Sequence, residues 1–281
     1  MLKKNKINST PLNVRIFTAF VMAFAFFVSA MPLGWLLLSS LKEDPLARPG
    51  FMLPEKLYFG GYITVFRDIG ITRYFSNSLF VATISVVLSI LMISMSAYVV
   101  ARMNFKLKGI VSACLLSTLF IPAASMTYPV YSLINKLGLF NTHGALIFIY
   151  TCSGIAVSFF VIKNYYATIP TEMEEAARID GCGYVQTWIR IMLPLAMPGI
   201  MTAAVLAFLG NWNEYYWASL VLIDRKLLTI PALLSNFTTA FTTDYNGLFS
   251  AIVVIIVPPI LLFCFCSRFF VQALSGGAVK G

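Results

Sequence analysis

Six apolar runs, near residues 14–41, 78–101, 109–133, 144–162, 198–222 and 248–274, dominate this chain of 281 residues. Each is long enough to cross a bilayer, because about 20 residues of helix span its hydrocarbon core. In lipid every backbone N–H and C=O must be satisfied within the protein, and a helix does this within one segment. The composition agrees: 59% of residues are hydrophobic, only 11% are charged, and the mean hydropathy is +0.84. A soluble domain of this size could not bury so much apolar surface. The expected fold is an all-α integral membrane protein with six transmembrane helices. A single membrane domain covers 14–274, between an N-terminal segment, 1–13, and a tail, 275–281. An even number of crossings places both termini on one side.

The basic residues indicate which side. With the N-terminus in the cytoplasm, Lys3, Lys4, Lys6, Arg15, Arg102, Lys106, Lys108, Lys163, Arg178, Arg190, Arg268 and Lys280 lie inside, and Lys42, Arg48, Lys56, Arg67, Arg73, Lys136, Arg225 and Lys226 outside, twelve against eight. That bias follows the positive-inside rule. The net charge of +9 therefore reads as topology and contact with anionic lipid. Nucleic acid is not an expected partner, because the basic residues are dispersed and form no single stripe. The apolar run after Arg15 is too long for a cleavable signal and reads as a retained first helix.

Between the fourth and fifth runs lies a polar stretch, 168–194, that reads as a folded surface. Pro170 blocks continuation of the preceding helix, and Thr171 stands three residues before Glu174, the spacing of a capping box. A new helix should start there, with acidic residues at the positive end of its dipole, and stop at Gly181 in a left-handed cap. Ala176 and Ala177 keep its middle thin enough for close approach by another protein. The alternative is an amphipathic helix lying on the membrane surface, which would call for a basic polar face where this one is acidic.

Glu175-Ala176-Ala177, Asp180-Gly181 and then Ile191, Leu193 and Pro194 resemble the EAA loop of ATP-binding-cassette (ABC) importer permeases. Further matches extend over nearly the whole chain: Tyr74-Phe75-Ser76-Asn77-Ser78, Ala97-Tyr98 with Ala101-Arg102 and Phe105-Lys106, Gly138-Leu139 with Asn141-Thr142, Asn211-Trp212-Asn213-Glu214 and Gly277-Ala278-Val279-Lys280-Gly281. Together they are similar to the smaller permease of maltose-type carbohydrate importers. Cys182 departs from the pattern by replacing the usual small residue such as Ala. The resemblance implies a type I ABC importer permease in a bacterial inner or plasma membrane, with the loop and both termini cytoplasmic. It implies a heterodimer with a second permease, a pair of ATPase subunits carrying ATP and Mg, and an extracytoplasmic sugar-binding protein. No cofactor is expected in this chain itself. On this reading Glu174, Glu175, Ala176, Ala177, Arg178, Asp180 and Gly181 form the coupling surface. Glu175 and Arg178 transmit the push, and Gly181 sets the angle between two short helices.

The fifth run carries Asn211, Trp212, Asn213, Glu214 and Tyr215. A carboxylate inside a span is costly unless it faces a polar cavity or a partner. Amides and a carboxylate can bind sugar hydroxyls, and aromatic faces can take the apolar side of a sugar ring. An interfacial aromatic belt, with Glu214 reaching the surface or pinning a neighbour, explains the same residues. On an unbroken helix Asn211 and Glu214 lie about 300° apart and so nearly share a face, which makes them the preferred lumen pair over Asn213.

Prolines at 122, 129, 194, 198, 258 and 259 mark bends in the third, fifth and sixth spans. The five cysteines suggest no disulfide framework, and His143, the one histidine, reads as a solvated loop residue. The sequence contains no phosphate-binding Gly-rich loop and no Ser-His or Cys-His pattern, so the chain should not hydrolyse ATP by itself. The rival class is an ion-coupled secondary transporter or channel, which would show repeats and several midplane charges.

Overall fold

The computed structural model describes residues 11–47, 49–237 and 244–278, residues 236 and 270–278 by their backbone alone. Expectations for Lys3, Lys4, Lys6, Arg48, Lys280 and the last residues of the tail fall outside that range. The described chain is helical throughout, and it divides into two compact units, 1–69 with 239–254 and 70–238 with 255–281.

The first unit holds α1 (Leu12–Ser40) and the single turn α2 (Gly60–Ile63). Phe17, Phe20, Phe24, Phe26 and Phe27 are exposed along α1, and only Leu36, Ser39 and Ser40 at its end are buried. A helix apolar on all sides belongs in lipid. The carbonyls at its C-terminus need donors. Asn246 supplies them, its Nδ2 donating to the carbonyls of Ser40 (3.2 Å) and Lys42 (2.6 Å).

The second unit is built on α3 (Ile71–Arg102). Its buried face carries Ser78, Ala82, Ser85, Ser89, Ser94 and Ala97 at helical spacing. Small side chains let other helices approach closely, which in lipid replaces the hydrophobic drive between helices. After α4 (Lys108–Ser117) and α5 (Thr127–Lys136), α6 (His143–Cys152) and α7 (Ile155–Thr168) pack on that face. The polar segment holds α8 (Glu172–Ile179), α9 (Tyr184–Thr187) and the short α10 (Leu193–Leu195), and α11 (Met197–Trp212) packs on α3 and α7. Gly199 lets α11 and α7 touch, since a Cβ there would lie 2.5 Å from the Tyr165 ring. α12 (Tyr216–Val221) and α13 (Ile230–Leu234) follow, then α14 (Tyr245–Ala278), whose later turns belong to this unit.

Three described helices are long and apolar enough to cross a membrane by themselves, and three bent pairs bring the number to six if each pair is one crossing. The third apolar run bends by 100° around Ile121-Pro122, and the fourth by 49° at Ser153-Gly154, where Gly154 is left-handed. The fifth differs from the sequence expectation: its helix ends at Trp212 and does not run on to residue 222. Pro258 and Pro259 sit inside an unbroken α14, so they do not divide that span.

Candidate functional site

Both stretches singled out in the sequence lie in the second unit. In the polar loop, α8 starts without the capping box. Thr171 has helical backbone angles and its side chain caps nothing; its carbonyl accepts from the N–H groups of Glu174 and Glu175 instead. Glu174, the supposed reciprocal cap, is buried and turned toward Arg102, with Arg102 Nε 3.4 Å from Glu174 Oε1. An ion pair outweighs a weak local cap once Glu174 is buried beside Arg102, because a buried carboxylate without a partner is far more costly than an uncapped exposed amide.

The C-terminus of α8 forms as expected. Gly181 has φ +78°, its N–H donates to the Arg178 carbonyl (3.0 Å), and the Cys182 N–H donates to that of Ala177 (2.9 Å). These are the two bonds of a Schellman motif. A Cβ at Gly181 would meet nothing within 4 Å, so the penalty there comes from the positive φ. Gly181→Val is expected to lower ATP-driven uptake more than Gly181→Ala does, since β-branched residues tolerate positive φ worst. Equal uptake by the two variants and the parent would refute this geometry.

Along α8 and its C-cap, Glu175, Ala176, Arg178, Ile179 and Asp180 are exposed and Glu174 and Ala177 are buried. Ile179 is 87% exposed, and Tyr184, Val185 and Ile189 beyond the turn are exposed too. Arg178 stacks over the Tyr184 ring at 5.5 Å. A cavity of about 340 Å³ opens beside them, lined in part by Tyr98, Glu174, Arg178 and Tyr184. Sequence reasoning missed Ile179 and Tyr184, since a lone exposed apolar residue leaves no periodic trace. The second half of the loop is anchored: Trp188 Nε1 donates to the Tyr166 hydroxyl (3.1 Å), which also bonds Ser94 Oγ (2.9 Å).

The second stretch is a break between two helices and not part of one continuous span. α11 stops at Trp212, and Asn213, Glu214 and Tyr215 connect it to α12. The face-sharing argument for Asn211 with Glu214 therefore does not apply. Trp212 is 1% exposed, stacked on Phe208 and edge-on to Phe75, with its Nε1 donating to the Ile255 carbonyl (3.2 Å). Glu214 is occupied by protein groups. Its carboxylate accepts from the Tyr150 hydroxyl (2.7 Å) and from the N–H groups of Trp217 (2.8 Å) and Ala218 (3.2 Å), the orphan donors at the start of α12. Asn211 turns a buried Nδ2 inward without a hydrogen-bond partner. Asn213 and Tyr215 are exposed, and with Pro231, Leu234, Ser235 and Ile255 they line a cleft of about 470 Å³.

The segment after α12 is held against α3. Asn77 Nδ2 donates to the carbonyls of Lys226 and Leu228, both at 3.0 Å, and the Ile230 N–H donates to Ser78 Oγ at 2.8 Å. His143 is not a free loop residue: it opens α6 and its Nε2 lies 2.9 Å from the Leu227 carbonyl. Among the described residues, no three His, Cys, Asp or Glu side chains gather as a metal site would require.

Residues 89–278 match the family described as the binding-protein-dependent transport system inner membrane component. The chain is 35% identical over 264 residues to the arabinooligosaccharides transport system permease protein AraQ of Halalkalibacterium halodurans, covering 92% of this chain and 94% of that one. It is 30% identical over 254 residues to the trehalose transport system permease protein SugB of Mycobacterium tuberculosis, covering 89% and 92%. Among solved structures, a chain of a bacterial ABC transporter involved in the import of the acidic polysaccharide alginate superposes with a TM-score of 0.79 at 21% identity, covering 93% of this chain and 99% of that one. The fold is that of a type I ABC importer permease, and the chain belongs to the family of inner membrane components of binding-protein-dependent transport systems, as a multi-pass ABC transporter permease.

Proposed function

We propose that this chain is one of two permease subunits through which a carbohydrate, of oligosaccharide class, enters the bacterial cytoplasm, with a separate ATPase pair docked on the α8–α9 loop and ATP and Mg bound there. The observation that carries the reading is that α8 presents Glu175, Arg178 and Ile179, at i, i+3 and i+4 spacing, on one exposed face that ends at the Gly181 reversal. A charged rim around apolar side chains suits a protein partner better than lipid. The excess of basic residues on the loop's side of the membrane supports a cytoplasmic position for the loop and both termini. The sugar class is supported by relatives named for arabinooligosaccharides and trehalose, and delivery by an extracytoplasmic binding protein by the family itself. The energy source lies outside this chain, whose sequence holds no phosphate loop.

Within the membrane the sugar-facing candidates are Asn213 and Tyr215, an amide and an aromatic on the open cleft. Glu214 and Trp212 shape the break that presents them. The test is uptake by the assembled complex in proteoliposomes, with its binding protein, against a panel of mono- and oligosaccharides. ATP-dependent uptake of one saccharide class is expected. Asn213→Ala and Tyr215→Ala should each lower it roughly tenfold or shift preference, the effect of losing one or two sugar contacts at about 1.4 kcal/mol per factor of ten. Uptake driven by an ion gradient without ATP would instead support a secondary transporter.

A further inference from the structure

Arg102, the last residue of α3, binds three groups at the root of the loop. Its Nη2 donates to the carbonyls of Ile169 and Pro170, where the chain leaves α7, and its Nε faces Glu174 Oε1 on α8. The two side chains are only 9% and 11% exposed. Arg102 Nε and Glu174 Oε1 are buried without a hydrogen-bond partner, so the two meet as an ion pair and not as a hydrogen bond. One turn back on α3, Tyr98 lies against the same carboxylate, and another turn back Ser94 bonds Tyr166. One face of α3 therefore grips both halves of the loop.

Glu174 is buried on α8 while Glu175, about 100° further round the helix, is exposed, so the two carboxylates face different surroundings. Two packed apolar surfaces can slide or rotate past one another at small cost. A guanidinium fork that holds a carboxylate and two backbone carbonyls sets rotation and axial position together.

We propose that Arg102 and Glu174 form a strut that passes displacement of α8 to the transmembrane helix α3, making them positioning residues for coupling and not for docking. This rests on the reading that α8 receives the ATPase. Removing either partner should leave the ATPase bound while breaking the link between hydrolysis and movement of α3.

The experiment uses the assembled complex in proteoliposomes and measures three quantities: ATPase retained on purification, ATP hydrolysed, and solute taken up. Glu174→Gln, the conservative change, and Arg102→Gln are expected to retain the ATPase but take up at least tenfold less solute per ATP. In a chain freed of its five native cysteines, Arg102→Cys with Glu174→Cys should be equally uncoupled. A short bifunctional methanethiosulfonate joining the two thiols should then restore uptake, and reduction should abolish it again. Unchanged uptake per ATP in the single variants would overturn the strut, and so would a cross-link that forms without restoring uptake. Loss of the ATPase from Glu174→Gln would also overturn it, by making Glu174 a docking residue. Glu175→Lys is the separate control for the docking reading. If that variant keeps its ATPase, docking on this face is wrong whatever the Arg102 variants do.

Discussion

Glu175→Lys is expected to strip the ATPase from the purified complex and abolish ATP-driven uptake, while the chain still inserts and reaches normal abundance. Glu175 is exposed on α8 and makes no contact that holds the fold, so reversing its charge should cost little stability. Against a docked partner the same change loses one charge-assisted contact and creates a like-charge one. Disrupting a desolvated interfacial pair costs about 2–5 kcal/mol, or roughly 30- to 5000-fold in affinity. The lysine also opposes the dipole in the first turn of α8, which adds a few tenths of a kcal/mol. Pull-down of the ATPase through a tag on this chain measures the effect, with Glu175→Gln as the milder comparison. Retention of the ATPase at parental levels would exclude α8 as the docking helix.

Trp212→Ala is expected to be the most destabilising single substitution in the stretch 211–215, costing about 3–5 kcal/mol as large aromatic-to-alanine changes in packed interiors do. The ring is buried between Phe208 and Phe75, and its N–H satisfies the Ile255 carbonyl on α14. Removing it leaves a cavity and an unsatisfied acceptor close to Pro258 and Pro259, in a helix that already lacks two backbone donors. Thermal aggregation of detergent-solubilised protein should shift to clearly lower temperature. Asn213→Ala, an exposed change a residue away, should leave it nearly unmoved. If the two variants melt together, Trp212 is not the anchor of this break.

The contrast between those two neighbours shows where a sequence stops being informative. Local chemistry is readable: Pro170 and Gly181 bound a helix because one lacks a donor and clashes with the preceding turn, and the other reaches positive φ freely. Membrane class and approximate crossings are readable as well, because bilayer thickness imposes a length on every apolar run. Partnership between distant residues is not. Thr171 and Glu174 satisfy a local capping pattern, yet Glu174 pairs with a residue 72 positions earlier, because burying its carboxylate against α3 changes which interaction costs least to give up. Asn211 to Tyr215 read as part of one continuous span because apolar residues flank the short polar stretch on both sides and nothing in it forbids a helix. Only packing shows that the helix stops at Trp212, with the Glu214 carboxylate taken up by Tyr150 and the first amides of α12. The sequence by itself determined the all-helical membrane class, the family and the loop's boundaries, since these rest on local backbone chemistry and on segment length. The tertiary structure alone decided which polar side chains are free to meet a partner or a solute, because that depends on which of them neighbouring helices already satisfy.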